Sequence, residues 1–393
     1  MGVPDMYKGC LLGLAVGDAL GVTVDGKDYQ RICQDYGPAG LLGYDLANGC
    51  ASISSYTQVA AFALNSLLVA LNKNRTTLED YLHYMTRGLG EWAHAQHLPG
   101  APRTRCCWMY HEPQMRQRRC MDARTLDALT REVTGTMEEP ANGSTGPGTL
   151  TAAAMVGLYF SPERLQVGDI GILAGQTVAL THGDPTAFLS GAALAYALAG
   201  ILQEPEAELE EQFAQAAQAV VAQFGREYPQ AKVVAGLVRQ AIGAYHEPDL
   251  LPVQAMEMLV CNSAAQVLAG AVYACLAGRE DFDSAMIIAV NHSGKSDAVG
   301  AIAGALMGAH LGEGALPEFY LESLPCAEVL REIAGDLENC GPKGWRSRLF
   351  DHDWDRKYTQ GLPGETVNTY KHGNLRVIRR SKGNKGGNIG VTA

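Results

Sequence analysis

Apolar residues along this chain return at the three-to-four-residue spacing of helices rather than alternating at period two. The pattern predicts helices over 6–20, 54–72, 78–92, 126–137, 150–159 and 167–180 in the first half. In the second half it predicts them over 185–202, 206–224, 230–244, 264–277, 281–290 and 298–311. Gly21 is the expected C-terminal cap of the first helix, and Thr77 opens the third. β-branched residues are sparse, and no alternating run is long enough for a sheet, so the fold class expected is all-α, a helical bundle.

Within the first helix Gly9, Gly13 and Gly17 recur every four residues and so share one face. Each glycine in a helix costs about 1 kcal/mol relative to alanine. Three on one face predict that a neighbouring backbone packs there. The rhythm breaks at 99–117, which is basic, holds two cysteines and few aliphatics, and reads as a surface loop. A second loop, rich in Pro, Gly, Asn and Ser, covers 139–148. The expected organisation is one helical domain over 1–340, with a loop insertion at 99–120. A C-terminal extension covers 341–393, where Lys and Arg outnumber Asp and Glu. In the extension, the run Asp351-His352-Asp353-Trp354-Asp355 has metal-ligand residue types, but the expectation is a solvated polar stretch.

Composition narrows the function. Of 393 residues, 47% are hydrophobic and 19% charged, enough for a sizeable core. A net charge of −11 repels phosphate backbones, so general nucleic-acid binding is not expected. Ten cysteines are scattered without a C-x-x-C pair, which reads as reduced thiols. A zinc site built from Cys106, Cys107, Cys120 and His111 fits no standard spacing, and loop thiols are the expected reading. The apolar run 187–202 is shorter than the ~20 residues of a membrane span, so a core helix and a cytoplasmic protein are expected.

Four collinear segments carry a resemblance: GCLLGLAVGDALG from Gly9 to Gly21, ISSYTQVAAFALNSLL from Ile53 to Leu68, the stretch from Gly146 to Leu198, and DFDSAMIIAVNHSGKSDAVGAIAGALMGAHLG from Asp281 to Gly312. They resemble the opening GDALG helix, the T-D-D-T-Q helix, the glycine-rich substrate loop with its T-H-G helix start, and the G-G-D-x-D-T segment of the ADP-ribosylglycohydrolase family. The resemblance covers roughly residues 6–330. It implies a compact orthogonal helical bundle with two Mg²⁺ ions and ADP-ribose in a cleft, hydrolysing the glycosidic bond between ADP-ribose and a protein side chain.

Magnesium wants oxygen ligands, with carboxylates balancing its charge. Where the family places T-D-D, this chain has Ser54, Ser55 and Tyr56; where it places D-x-D-T, Lys295, Ser296, Asp297 and Ala298. One aspartate of four remains, and a lysine has been gained. Two unit charges 4 Å apart interact by about 4 kcal/mol at an effective dielectric near 20, so Lys295 opposes a divalent ion by an energy of that order. The expectation is that no magnesium pair, and no other cofactor, is held. Asp25 falls where the family often has a glutamate. With Asp297 it is a candidate general base, and His292 is another, against the reading of a polar loop histidine. Gly143, Ser144, Gly146, Gly148, His182 and Gly183 are the candidate ligand-binding residues. His182 also reads as a structural histidine, and Asp18 as an acceptor for a helix or loop end.

Three functions compete at this stage. One is a non-catalytic member that holds ADP-ribose or a related nucleotide, or an ADP-ribosylated protein, with Lys295 replacing metal charge. Another is an active hydrolase with altered, metal-independent chemistry. The third is a scaffold that uses the insertion and the basic tail.

Overall fold

The computed structural model describes residues 2–47, 49–96, 106–119, 123–130, 134–160 and 167–339. It also describes residues 354, 357, 358, 368, 369, 378 and 379. The helices in chain order are α1 (Val3–Val24), α2 (Tyr29–Tyr36), α3 (Ser55–Asn72), α4 (Leu78–Ala95), α5 (Pro113–Arg116) and α6 (Ala123–Thr130). Next come α7 (Leu150–Tyr159), α8 (Val167–Ala179), α9 (Pro185–Gln203), α10 (Leu209–Phe224), α11 (Ala231–Tyr245) and α12 (Pro252–Leu259). The last are α13 (Ala264–Gly278), α14 (Phe282–Val290), α15 (Ser296–Leu311), α16 (Glu318–Glu322) and α17 (Ala327–Asn339). Two short 3-10 turns, Trp108–His111 and Glu313–Ala315, complete the body. A two-residue antiparallel pairing, β1 (Asn368–Thr369) with β2 (Ile378–Arg379), follows it in sequence.

The body is organised around one helix pair. α1 and α15 run antiparallel in the closest packing of the fold. Their glycines face each other at four-residue spacing: Gly9 with Gly308, Gly13 with Gly304, and Gly17 with Gly300. A Cβ on Gly13 would lie 2.2 Å from the Gly304 carbonyl oxygen, so the contact is backbone on backbone. The glycine stripe visible in α1 thus has its partner. Gly21, expected as a cap, lies inside the helix, which runs on to Val24 with Asp25 as its C-terminal cap. Gly21 continues the stripe instead: its Cβ would meet the Ser296 carbonyl oxygen at 2.2 Å.

Around this pair α3 packs on α4 and α7, and α9 packs on α7, α8 and α10. α13 joins α11, α14 and α15. Among the described residues, two helices, α1 and α9, are apolar and long enough to cross a membrane, and 83% of each apolar window is buried inside the protein. That burial is what interior helices of a large bundle need.

Two expectations change. The described part of the insertion, 106–119, is not a surface loop but a layer on α3 and α4. Cys106, Cys107, Met109 and Met115 are buried. Gln58 clips it down, donating from Nε2 to the carbonyls of Gln114 (2.8 Å) and Gln117 (2.9 Å). The run around Trp354 is not wholly solvated either. Trp354 and Tyr358 are buried, the Trp354 indole donates to Asn72 Oδ1 (2.6 Å), and the Tyr358 hydroxyl donates to Asp336 Oδ2 (2.6 Å). Asp351, His352, Asp353 and Asp355 lie outside the described residues.

Candidate functional site

The α1–α15 pairing fixes what meets at its end. The C-terminus of α1 brings Asp18 and Asp25, and the N-terminus of α15 brings Lys295, Asp297 and Ala298. Lys295 Nζ lies 3.4 Å from Asp25 Oδ2, with the Asp25 side chain 16% exposed and that of Lys295 47%. Asp297 is buried in the first turn of α15, and its Oδ1 accepts the Ala298 amide hydrogen at 2.8 Å. Burial first, then the charges of Asp25 and Asp18, push the Asp297 carboxyl up to about 8; Lys295 only partly offsets them. Ala298 is fully buried packing.

The N-terminus of α3 closes a second side. Asp18 is wholly buried, and its Oδ2 accepts from the amides of Ser54 (3.0 Å) and Thr57 (3.1 Å) and from the Thr57 hydroxyl (2.5 Å). It therefore caps α3 from another helix. Burial pushes its carboxyl above the ordinary range, and the hydrogen bonds from Ser54 and Thr57 offset this only in part. Ser54 is the local N-cap, its Oγ accepting the Tyr56 amide at 3.1 Å. Ser55 and Tyr56 are buried, and the Tyr56 carbonyl accepts the Thr151 hydroxyl at 2.9 Å, tying α3 to the start of α7.

The glycine loop forms the third side. Asn142 organises it: its Oδ1 accepts from the Ser144 (2.9 Å) and Gly183 (3.2 Å) amides, and its Nδ2 donates to the Thr181 carbonyl (2.9 Å). Gly143 is exposed, Ser144 and Gly146 half-buried, and Gly148 buried in the turn before α7. The Ser144 hydroxyl accepts the Gly146 amide at 3.3 Å. Gly183 has no room for a side chain, since a Cβ would meet the Asn142 carbonyl oxygen at 2.1 Å. The His182 ring is fully buried, with Nδ1 2.8 Å from Thr181 Oγ1 and Nε2 3.2 Å from where a Gly146 Cβ would stand. His182 thus underlies the loop.

A bent segment joins this loop to Lys295. The Ala264 amide donates to the Thr145 carbonyl (2.8 Å), and the Lys295 amide donates to the Cys261 carbonyl (2.8 Å). Val260 and Cys261, consecutive non-glycine residues, both take positive φ (65° and 54°). Such backbone costs of order 1–3 kcal/mol per residue and persists only where the surroundings impose it. His292 is among those surroundings. Its Nδ1 accepts the Gly294 amide (2.9 Å) and its Nε2 donates to the Ala289 carbonyl (2.9 Å). Burial lowers its pKa to about 4. It is a neutral brace for the turn into α15, with both nitrogens committed, and not the general base considered from sequence.

One residue escaped the sequence reading. Arg119, the last described residue of the insertion layer, donates from Nη1 to Ser52 Oγ (3.0 Å), two residues before the α3 cap. Burial lowers its pKa, and attraction to Asp18 and to Cys326 works against that. Nothing in the spacing of a basic loop could single it out, because the chain between it and α3 folds back through α4. The site thus gathers three carboxylates and two cations at the N-termini of α3, α7, α13 and α15.

A family profile for ADP-ribosylglycohydrolase matches residues 2–346. The chain belongs to the ADP-ribosylglycohydrolase family. Among its relatives, an uncharacterized protein of Archaeoglobus fulgidus is 26% identical over 340 residues, covering 85% of this chain and 96% of that one. A solved structure described as an ADP-ribosylglycohydrolase-related protein complex shares the fold at a TM-score of 0.52 and 24% identity, covering 86% of this chain and 98% of that chain. The all-α bundle expected from the residues is the fold of this ADP-ribosylglycohydrolase family member.

Proposed function

We propose that this protein is a family member that binds ADP-ribose or a related nucleotide without the two-magnesium hydrolysis of the glycosidic bond. The observation that carries the reading is the Lys295–Asp25 contact at 3.4 Å. It sets an ammonium against a carboxylate at the point where the α1 and α15 ends meet. The donor set does not fit a pair of magnesium ions. Hard divalent ions need several carboxylate oxygens. Here Ser54 Oγ is spent on its own helix cap, Tyr56 brings no carboxylate, and Lys295 opposes a cation. Three carboxylates against two cations leave the site near neutrality with no metal charge, the more so with the Asp297 carboxyl raised to about 8.

What remains favours an anionic ligand. α7 starts without a side-chain cap, whereas at the start of α15 the Ala298 amide is already taken by Asp297. The positive ends of helix dipoles and unused amides attract phosphate groups. The glycine loop over His182 adds the exposed backbone of Gly143. Lys295, half-exposed, and Arg119 add charge that a diphosphate would meet.

Calorimetry with ADP-ribose, paired with turnover of ADP-ribosylated arginine and serine peptides with and without Mg²⁺, tests the reading. Expected are saturable ADP-ribose binding that weakens on Lys295→Ala and no release of ADP-ribose in either condition. Magnesium-dependent release would overturn the loss of the metal site, and absence of ADP-ribose binding would overturn the ligand. The triple change S55D, Y56D and K295D is expected to create magnesium binding in the folded protein.

A further inference from the structure

The insertion layer meets α4 at a cluster no part of the proposed function uses. We propose that Glu91, Cys106 and Cys107 form a binding site for one zinc-class divalent ion with two thiolate ligands. Among the described residues these three offer ligand atoms that all lie within 4.8 Å of one another. All three side chains are buried. Glu91 Oε2 accepts the amide hydrogens of Cys106 (2.6 Å) and Cys107 (2.9 Å), which fixes the carboxylate beside both sulfurs.

The sulfur spacing suits a tetrahedral ion. Cys106 Sγ and Cys107 Sγ stand 3.7 Å apart. Two thiolates at the ~2.3 Å zinc–sulfur distance in a tetrahedron are about 3.8 Å apart, whereas a linear two-coordinate ion would spread them to about 4.6 Å. Soft sulfur ligands beside one carboxylate suit zinc and exclude magnesium or calcium, which take oxygen alone. α4 packs closely on this cluster at Gly88, where a Cβ would lie 1.8 Å from Ser66 Oγ and 3.2 Å from Cys107 Sγ. Ser66 Oγ, 3.6 Å from Cys107 Sγ, stands on the remaining side, where it or a water completes four ligands.

The spacing that made a zinc site look unsupported grouped the cysteines with His111 and Cys120. His111 is exposed and Cys120 lies outside the described residues. The third ligand comes instead from α4, fifteen positions upstream of Cys106. Binding displaces two thiol protons to solvent for each ion taken up. Because protons are released, uptake strengthens as pH rises.

The test uses the full chain, reduced and stripped of metal. Titration with Co²⁺ is expected to give thiolate charge-transfer and tetrahedral ligand-field bands saturating at one equivalent, displaced by Zn²⁺. C106S/C107S should abolish them, and Glu91→Gln should weaken zinc binding tenfold or more. X-ray absorption on the zinc-loaded wild type should count two sulfurs near 2.3 Å. This readout holds even where the double variant fails to fold. Absence of cobalt bands in the wild type, their survival in a folded C106S/C107S protein, or fewer than two sulfurs around zinc would each overturn the proposal.

Discussion

Gly13→Ala and Gly236→Ala make the same chemical change in the interior of two helices, and the fold assigns them opposite signs. Isolated from its neighbours, each exchange favours the helix by about 1 kcal/mol, because alanine restricts the unfolded chain and propagates helix better. At Gly236, in α11, an added Cβ meets no atom within 4 Å, so that gain should appear as about 0.4–1 kcal/mol of added stability. At Gly13 the new Cβ would stand 2.2 Å from the Gly304 carbonyl oxygen. An ordinary contact is more than an ångström longer, so α1 and α15 must separate by about that much, against backbone that cannot rotate away. Overpacking of this kind costs about 1–3 kcal/mol and more where backbone must move. Because backbone must move here, the cost sits at about 3 kcal/mol or above, and subtracting the helix gain of about 1 kcal/mol leaves a net loss of about 2 kcal/mol or more at Gly13. Urea unfolding followed by far-ultraviolet circular dichroism would measure both. A Gly13→Ala protein as stable as the parent would refute the backbone-on-backbone contact as the organising feature of the fold.

Other outcomes are expected at the site and the chain end. Asp18→Ala strands the Ser54 and Thr57 amides in the interior and should cost about 2–5 kcal/mol. Asp18→Asn, which keeps one acceptor, should cost less, and amide exchange at the start of α3 would report both. For pH, an acid whose folded pKa is raised keeps its proton when the unfolded chain has lost its own, so Asp297 erodes stability as pH climbs from about 4 to about 8. His292, lowered to about 4, works the other way, adding stability as pH rises from about 4 to its ordinary 6.5. Above 6.5 only the Asp297 slope remains of these two. Asp297→Asn should flatten it, and parallel unfolding curves of parent and variant from pH 6.5 to 8 would contradict the assignment. Trp354→Ala removes a buried indole and its hydrogen bond to Asn72, at a cost of about 3–5 kcal/mol, checked by unfolding and by faster proteolysis after α17.

Much of the bundle is legible as period and punctuation. The helix starting at Leu150 and ending at Tyr159 is readable from its apolar run alone, and Thr77 announces its helix as a cap. Gly21 misleads because a glycine after an apolar run signals a helix end locally, whereas its reason here is Ser296, distant in sequence. α2, α5, α12, α16 and α17 escape the reading. The first four have eight residues or fewer, and α17 is strongly amphipathic with as many polar as apolar residues. Glu91 and Gln58 explain the insertion. A basic segment with two cysteines and few aliphatics reads as surface until a carboxylate and an amide on other helices satisfy its backbone. At the candidate site, the motif resemblance supplies Lys295, Asp297 and Asp25. It cannot supply Arg119, whose approach to Asp18 depends on tertiary folding, nor the fact that both His292 nitrogens are already committed.

The glycine-to-glycine seam joins the first helix to one that starts about 270 residues later (296 − 24). At translation speeds of ~5–20 residues per second, roughly 15–55 s pass between the appearance of the two halves. During that interval the α1 stripe is a ready surface for any other helix with small residues in register. The nascent chain must therefore be held off by its surroundings until α15 emerges, and a ribosome that stops short of Ser296 leaves a product that cannot close.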